Sequence, residues 1–280
     1  MKIFETADEI RSWSRAEKAR GHGVAFVPTM GALHEGHLSL MREGKRRAEA
    51  LAVSIYVNPA QFGPGEDLAR YPRDLEGDLQ KCRSVGAHAL FAPSDREMYP
   101  DGFQSYVSVE DVSKDLCGAS RPTHFRGVAT VVAKLFNMVE PDVALFGEKD
   151  FQQLAVIRRM VKDLGYPVEI VGCPTVRDPD GLAMSSRNRY LSPAERSSAL
   201  SLNRSLGAAR EMVDAGERDP EKVLAKVRAI IEAEPDTRID YAKIVDAGTM
   251  KDLDEIRRPA LVALAVFVGS TRLIDNTLLA

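Results

Sequence analysis

Cysteine is scarce in this 280-residue chain. Its three cysteines, Cys82, Cys117 and Cys173, stand far apart, with no CxxC pair and no histidine-rich cluster around them. That spacing argues against a disulfide framework and a thiolate zinc site, and it suits small buried thiols in a reducing compartment. Long apolar runs are missing too. The longest, residues 260–268, falls far short of the roughly 20 residues that a membrane-spanning helix needs. An excess of one charge is also absent: 38 Lys and Arg oppose 41 Asp and Glu, a formal net charge of -3. A dedicated nucleic-acid binder carries a basic excess, so nucleic acid is not the expected main partner. Met1-Lys2-Ile3-Phe4-Glu5 passes into charged, helix-like sequence rather than the apolar stretch of a signal peptide. A cytoplasmic protein with no membrane partner is the expectation.

What is present is ordinary globular composition, 44% hydrophobic and 28% charged. The length predicts one large domain or two ordinary ones, with core enough to fold without a structural metal. Strand-like and helix-like segments alternate through the first 175 residues. Strands are predicted over 24–28, 51–57, 89–92, 142–146 and 168–171, and helices over 37–50, 74–84, 125–139 and 151–164. The clearest helix places Val128, Val131, Val132, Leu135, Phe136 and Val139 on one stripe at helical period. Such alternation implies parallel strands joined by crossovers, hence a doubly wound α/β sheet. Ligands then bind outside the carboxyl ends of the strands, which directs attention to the loops after Pro28, Val57 and Phe146. Beyond the turn at Arg177-Asp-Pro-Asp-Gly181 the pattern changes. Helices over 193–214 and 220–234 precede strands over 239–245 and 261–268, a smaller α+β domain. The expected division is 1–175 and 176–280.

Four segments carry chemistry. In Pro28-Thr-Met-Gly-Ala-Leu-His34-Glu-Gly-His37, Gly31 and Gly36 permit close backbone approach, and a helix start presents free N–H groups. Two imidazoles there suit phosphate oxygens whose charge grows as a bond breaks. Structural histidines and a metal pair are the competing readings; against the metal, zinc-protease helices space their histidines by four, and no third ligand is evident. Asn58-Pro-Ala-Gln61-Phe62 offers two amides fit for a small substrate with hydroxyl and carboxylate groups, or else a simple turn. Gly147-Glu148-Lys149-Asp150 sets a lysine near another helix start, as for phosphate, or is a solvated charge cluster. Met184-Ser185-Ser186-Arg187 combines two hydroxyls and a guanidinium, a candidate phosphate clamp.

Together with Phe151-Gln152-Gln153 and Asp180-Gly181, these segments resemble the pantothenate synthetase family over essentially the whole chain. His34-Glu-Gly-His37 is that family's form of the HxGH signature shared with nucleotidyltransferases and class I aminoacyl-tRNA synthetases. The resemblance implies a Rossmann-like nucleotide domain, a smaller C-terminal lid and a homodimer. It implies ATP with magnesium, pantoate and β-alanine as small-molecule substrates, and no tightly bound organic cofactor. It further implies a two-step reaction through pantoyl adenylate that releases pyrophosphate and then AMP. Carried onto this sequence, His37 is the catalytic histidine. The nucleotide is lined by Met30, Gly31, Ala32, Leu33, His34, Glu35, Gly36 and His37, by Gly147, Glu148, Lys149 and Asp150, and by Val176, Met184, Ser185, Ser186 and Arg187. Gln61 and Gln153 hold pantoate, with Gln61 also near β-alanine. Many relatives have two adjacent acidic residues where this chain has Gly77-Asp78, which leaves the magnesium ligands unassigned.

Two other readings remain at this stage. Another adenylylating nucleotidyltransferase on the same fold would share HxGH. A non-catalytic nucleotide-binding module would be expected to lose His37, Lys149 or the Ser-Ser-Arg clamp, and all three are present.

Overall fold

The computed structural model describes residues 1–279. The chain forms two compact units. The first comprises Met1–Val109, Thr123–Glu148 and Gln153–Pro174, and the second Glu110–Pro122, Lys149–Gln152 and Thr175–Ala280. A single cut at 175/176 therefore does not capture the two earlier segments that belong with the C-terminal stretch.

The first unit is built on strands β1 (Lys2–Phe4), β2 (Val24–Thr29), β3 (Ala50–Ile55), β4 (Ala89–Phe91), β5 (Val143–Gly147) and β6 (Glu169–Cys173). They form one six-stranded sheet in the order β1-β4-β3-β2-β5-β6, and every pairing is parallel. Helices α1 (Ala7–Ala19), α2 (Glu35–Arg47), α3 (Leu75–Ser84) and the single turn α4 (Asp95–Met98) accompany the first half. The short α5 (Cys117–Ser120) lies in the second unit, and α6 (His124–Val139) and most of α7 (Phe151–Leu164) return to the first. Ala25, Val27, Leu51, Val53, Leu90 and Leu145 pack against Leu40, Met41, Leu79 and Cys82 of α2 and α3. Alternate residues of β2 face the opposite side, where α1 and α6 contact the strand. Buried on both faces, β2 and β3 read as near-continuous apolar runs.

Strand order reverses at β2, because the chain proceeds to β3 on one side and later adds β5 on the other. Pairing of β2 with β5 covers only Ala25 and Phe26 opposite Val143 and Ala144, whereas the strands run on to Thr29 and Gly147. Their carboxyl ends therefore part, which opens a crevice at the topological switch point. Pro28, which lacks an N–H for a ladder, lies beyond the stretch that β5 pairs.

The second unit holds an antiparallel sheet in the order β7 (Thr237–Asp246), β8 (Ala260–Val268) and β9 (Thr271–Leu279). Helices α8 (Pro193–Asp214) and α9 (Pro220–Glu232) share its core: Leu202, Leu206, Val213, Val227 and Ile231 pack with Ile244, Val262, Leu264 and Val266. Ser192 caps α8 in a capping box with Glu195, and Asp219 caps α9. Gly269, with φ +56, opens the two-residue turn from β8 to β9.

Most sequence-derived elements fall close to where expected; α1 stood only as helix-like sequence, α4 and α5 were not predicted, and three further differences matter. The second helix covers Glu35–Arg47 rather than 37–50, since Ala48 turns to extended backbone and Ala50 already belongs to β3. Strand β1 has only three residues, too few to show periodicity. Strand β9 carries Asp275 and Asn276 in its middle, which breaks the apolar pattern that a strand search follows. Among the described residues, no helix is long and apolar enough to cross a membrane.

Candidate active site

The loop leaving β2 is held by buried side chains. Thr29 Oγ1 donates to the Ser54 carbonyl at 2.7 Å and accepts from the Gly31 N–H at 3.1 Å. Gly31 then takes φ +77, and Ala32 follows at φ +49, a left-handed conformation that costs energy for a residue with a Cβ. Asp78, 1% exposed, stabilises this turn from α3: Oδ2 accepts from the Ala32 N–H at 2.7 Å and Oδ1 from the Leu33 N–H at 2.8 Å. A Cβ on Gly31 would stand 3.0 Å from Asp78 Oδ2, so glycine also lets the carboxylate approach. Both carboxylate oxygens bind backbone. Asp78 thus serves the loop after β2.

An Asp78→Ala variant would strand two buried N–H groups, at about 1–3 kcal/mol each. Its urea midpoint should fall, and a wild-type midpoint would mean that the carboxylate is dispensable to the turn.

Leaving this turn, the chain enters α2 with His34 as N-cap, so His37 occupies the third helical position rather than the helix start. The His34 N–H donates to His37 Nδ1 at 3.3 Å. In the neutral ring this bond assigns the proton to Nε2, giving a donor on the far side of the imidazole. The two rings lie with centroids 4.1 Å apart at 44°. The backbone N–H groups of Glu35 and Gly36 bond to no described residue, as the first turn of a helix leaves them, and they form an anion-facing end. Glu35 itself is exposed, and its carboxylate accepts from Arg42 at 2.5–2.6 Å. Only its backbone suits a phosphate. Among the described residues, no group of three His, Cys, Asp or Glu is placed to hold a metal ion.

Asn58 and Gln61 take different parts. Asn58, 1% exposed, donates to Gln61 Oε1 at 3.0 Å and to the Gly127 carbonyl at 3.2 Å, and its Oδ1 accepts from Tyr99 at 2.7 Å. Burial pushes the Tyr99 phenol up from its ordinary value, so it stays protonated and donates. Asn58 is therefore spent on orienting its neighbour, and the expectation that both amides meet a substrate reduces to Gln61. Gln61 Nε2 lies 3.1 Å from Met30 Sδ, which joins the turn after β3 to the loop after β2. A Cβ on Gly127 would stand 2.2 Å from the Ala60 carbonyl oxygen, so only glycine lets α6 pack this closely on that turn. His124 escaped sequence reasoning. From the start of α6 its Nδ1–H donates to the Gln61 carbonyl at 2.9 Å. A histidine heading a helix directly before an apolar stripe was its available signal.

In the first turn of α7, Gln152 and Gln153 also divide. Gln152 is buried, accepts from the Cys117 N–H at 3.0 Å and donates to the carbonyls of Val112 and Asp115. Gln153 is half-buried and its amide bonds to no described residue, which leaves it available to a ligand.

Within the second unit, the structure brings several expected nucleotide residues together. The Met184 N–H donates to the Val176 carbonyl at 3.0 Å, and Arg177 bridges to Ala183, closing a hairpin around Gly181 at φ +94. Ser185 caps the 3-10 turn Ser186–Tyr190, accepting from the Arg187 N–H at 3.3 Å. Lys149, with its side chain 18% exposed, has its Nζ 3.8 Å from Asp150 Oδ2.

A parallel sheet that opens at its switch point into a glycine turn and a His-x-x-His helix defines an α/β protein with a ligand crevice outside the carboxyl ends of its strands. The chain belongs to the pantoate-beta-alanine ligase family, a family of ligases whose sequence profile matches residues 2–278. It is 59% identical over 276 residues to pantothenate synthetase of Syntrophus aciditrophicus, covering 99% of this chain and 96% of that one. It is 57% identical to that of Myxococcus xanthus, covering 98% and 94%. Among solved structures, pantothenate synthetase from Thermus thermophilus matches with a TM-score of 0.94 at 48% identity over 99% of both chains. Pantoate-beta-alanine ligase from Francisella tularensis, complexed with beta-gamma ATP and beta-alanine, matches at 0.81 and 32%, covering 99% of this chain and 97% of that one.

Proposed function

We propose that this protein condenses pantoate with β-alanine at the expense of ATP, through pantoyl adenylate. A carboxylate is a poor acyl donor until one of its oxygens becomes a good leaving group. In the first step a pantoate carboxylate oxygen attacks the α-phosphorus, the bond to the bridging oxygen breaks, and pyrophosphate departs. In the second, the β-alanine amine attacks the activated carbonyl, loses a proton and expels AMP. Family membership supports the substrates, and one observation carries the chemistry: the His34 N–H occupies His37 Nδ1. That bond orients an Nε2–H donor beside the N–H groups that begin α2, a preorganised environment for charge building on a phosphate. Because pyrophosphate leaves readily, hydrogen bonding to that charge matters more than full proton transfer.

The roles of the other residues are those that the family resemblance implies. Gln153 and Gln61 bind pantoate, and Gln61 also borders β-alanine. Lys149 and the Met184–Arg187 stretch contact the triphosphate. Magnesium, when bound with ATP, would neutralise phosphate charge. Such ions keep several waters and use few protein ligands. A homodimer is part of the same reading, to be checked by sedimentation.

Two measurements test it. Given pantoate and magnesium but no β-alanine, the protein should exchange labelled pyrophosphate into ATP, since reversal passes through the adenylate. A route through acyl phosphate would instead release ADP and phosphate and exchange nothing. Gln153→Ala should weaken pantoate by about 1–3 kcal/mol, the scale for unpairing a buried polar group, with ATP affinity nearly intact. Calorimetry showing the reverse pattern would place pantoate elsewhere.

A further inference from the structure

We propose that Asn276, in the last strand, is a positioning residue for Lys149, so that β9 holds the two phosphate-facing segments of the second unit in one frame. The inference rests on the reading that Lys149 meets the triphosphate. Asn276 Nδ2 donates to the Lys149 carbonyl at 2.8 Å, across 127 residues of chain. Lys149 sits in a single 3-10 turn, Glu148–Asp150, which supplies little regular hydrogen bonding of its own. An amide from a packed sheet therefore fixes where its side chain departs.

The adjacent Asp275 does the equivalent for the other segment. It is 3% exposed and grips Arg177 in a two-pronged pair, Oδ2 to Nη1 at 2.6 Å and Oδ1 to Nη2 at 2.9 Å. Arg177 Nη1 also donates to the Gly181 carbonyl at 3.2 Å, tying both sides of the hairpin that leads into Met184-Ser185-Ser186-Arg187. Asp275 Oδ1 accepts from the Asn276 N–H at 2.8 Å, so the two anchors are bonded to each other. Opposite them on β8, Leu264 and Ala263 fix the register of this stretch of β9. Two neighbouring polar residues in the middle of one strand thus reach two segments that lie far from it in sequence. Burying the Asp275 carboxylate in this strand has a cost that packing alone does not explain.

The test is a double-mutant cycle on adenylation, read by pyrophosphate exchange, with Asn276→Ala, Lys149→Ala and the pair. Asn276→Ala should melt near the wild-type temperature and bind pantoate normally, yet adenylate up to about 10²-fold slower, the loss that a misplacement of about 1 Å can cause. Combined with Lys149→Ala, the Asn276 substitution should add almost no further loss, because the group it positions is gone. Full additivity of the two losses would overturn the proposal and make Asn276 a general structural residue. Wild-type exchange by Lys149→Ala alone would overturn the underlying reading of Lys149, and the proposal with it. Should Asn276→Ala melt far below wild type, Asn276→Leu, which keeps the shape and loses the donor without adding a charge, repeats the cycle. Coupling to Lys149 then supports the proposal and additivity overturns it.

Discussion

His37→Ala should fold normally and lose about 10²–10³-fold in adenylation rate, the loss seen when one preorganised donor to a developing charge is removed. The fold should survive for local reasons. His37 is half-buried on the first turn of α2, and its bond from the His34 N–H is a long one at 3.3 Å. Losing a bond of that kind costs about 0.5–1.5 kcal/mol, well within the margin of a domain this size. The turn keeps its other supports, Asp78 on Ala32 and Leu33, and Thr29 on Gly31. ATP binding should weaken less than the rate falls, because the donor is worth most when phosphate charge shifts toward the leaving group. Thermal melting, ATP titration and pyrophosphate exchange on one preparation separate these effects. A variant that melts normally and exchanges within a few-fold of wild type would remove His37 from the chemistry.

Most of the first unit was legible in the sequence because its strands are buried on both faces and its helices carry one apolar stripe. α6 is the plainest instance, with Val128, Val131, Val132, Leu135 and Val139 all buried in the structure. The candidate site positions stood out as residue types in loops after strands, but their hydrogen-bond partners did not. Asn58 and Gln61 look alike in sequence, as do Gln152 and Gln153. Only packing reveals that Asn58 and Gln152 spend their amides on backbone and neighbouring side chains. Asp78 shows the same limit: nothing local says that its carboxylate reaches back 46 residues to the loop after β2. Such long-range polar contacts leave no periodic trace. For the same reason the sequence could not show that residues 110–122 and 149–152 join the second unit, or that β9 carries contacts to Arg177 and Lys149.

Lys149→Ala should reduce the first half-reaction by a factor comparable to His37→Ala, while leaving the second nearly intact. The asymmetry follows from charge. On the proposed route, adenylation moves negative charge onto the departing pyrophosphate, where a lysine acts as a compact cation. Attack by the β-alanine amine leaves that region out, because pyrophosphate has gone and AMP is the leaving group. At 18% exposure the Lys149 side chain is shielded enough for its charge to act more strongly than at an open surface. Its neighbouring carboxylate, Asp150, lies 3.8 Å away and is itself nearly half exposed, so removing the lysine strands no buried counter-charge there. Stability should therefore change little. Single-turnover quenching resolves the steps: the variant should build adenylate slowly from ATP and pantoate, yet convert supplied pantoyl adenylate and β-alanine to product at close to the wild-type rate. Equal slowing of both half-reactions would mean that Lys149 shapes the pocket as a whole rather than meeting the leaving phosphates.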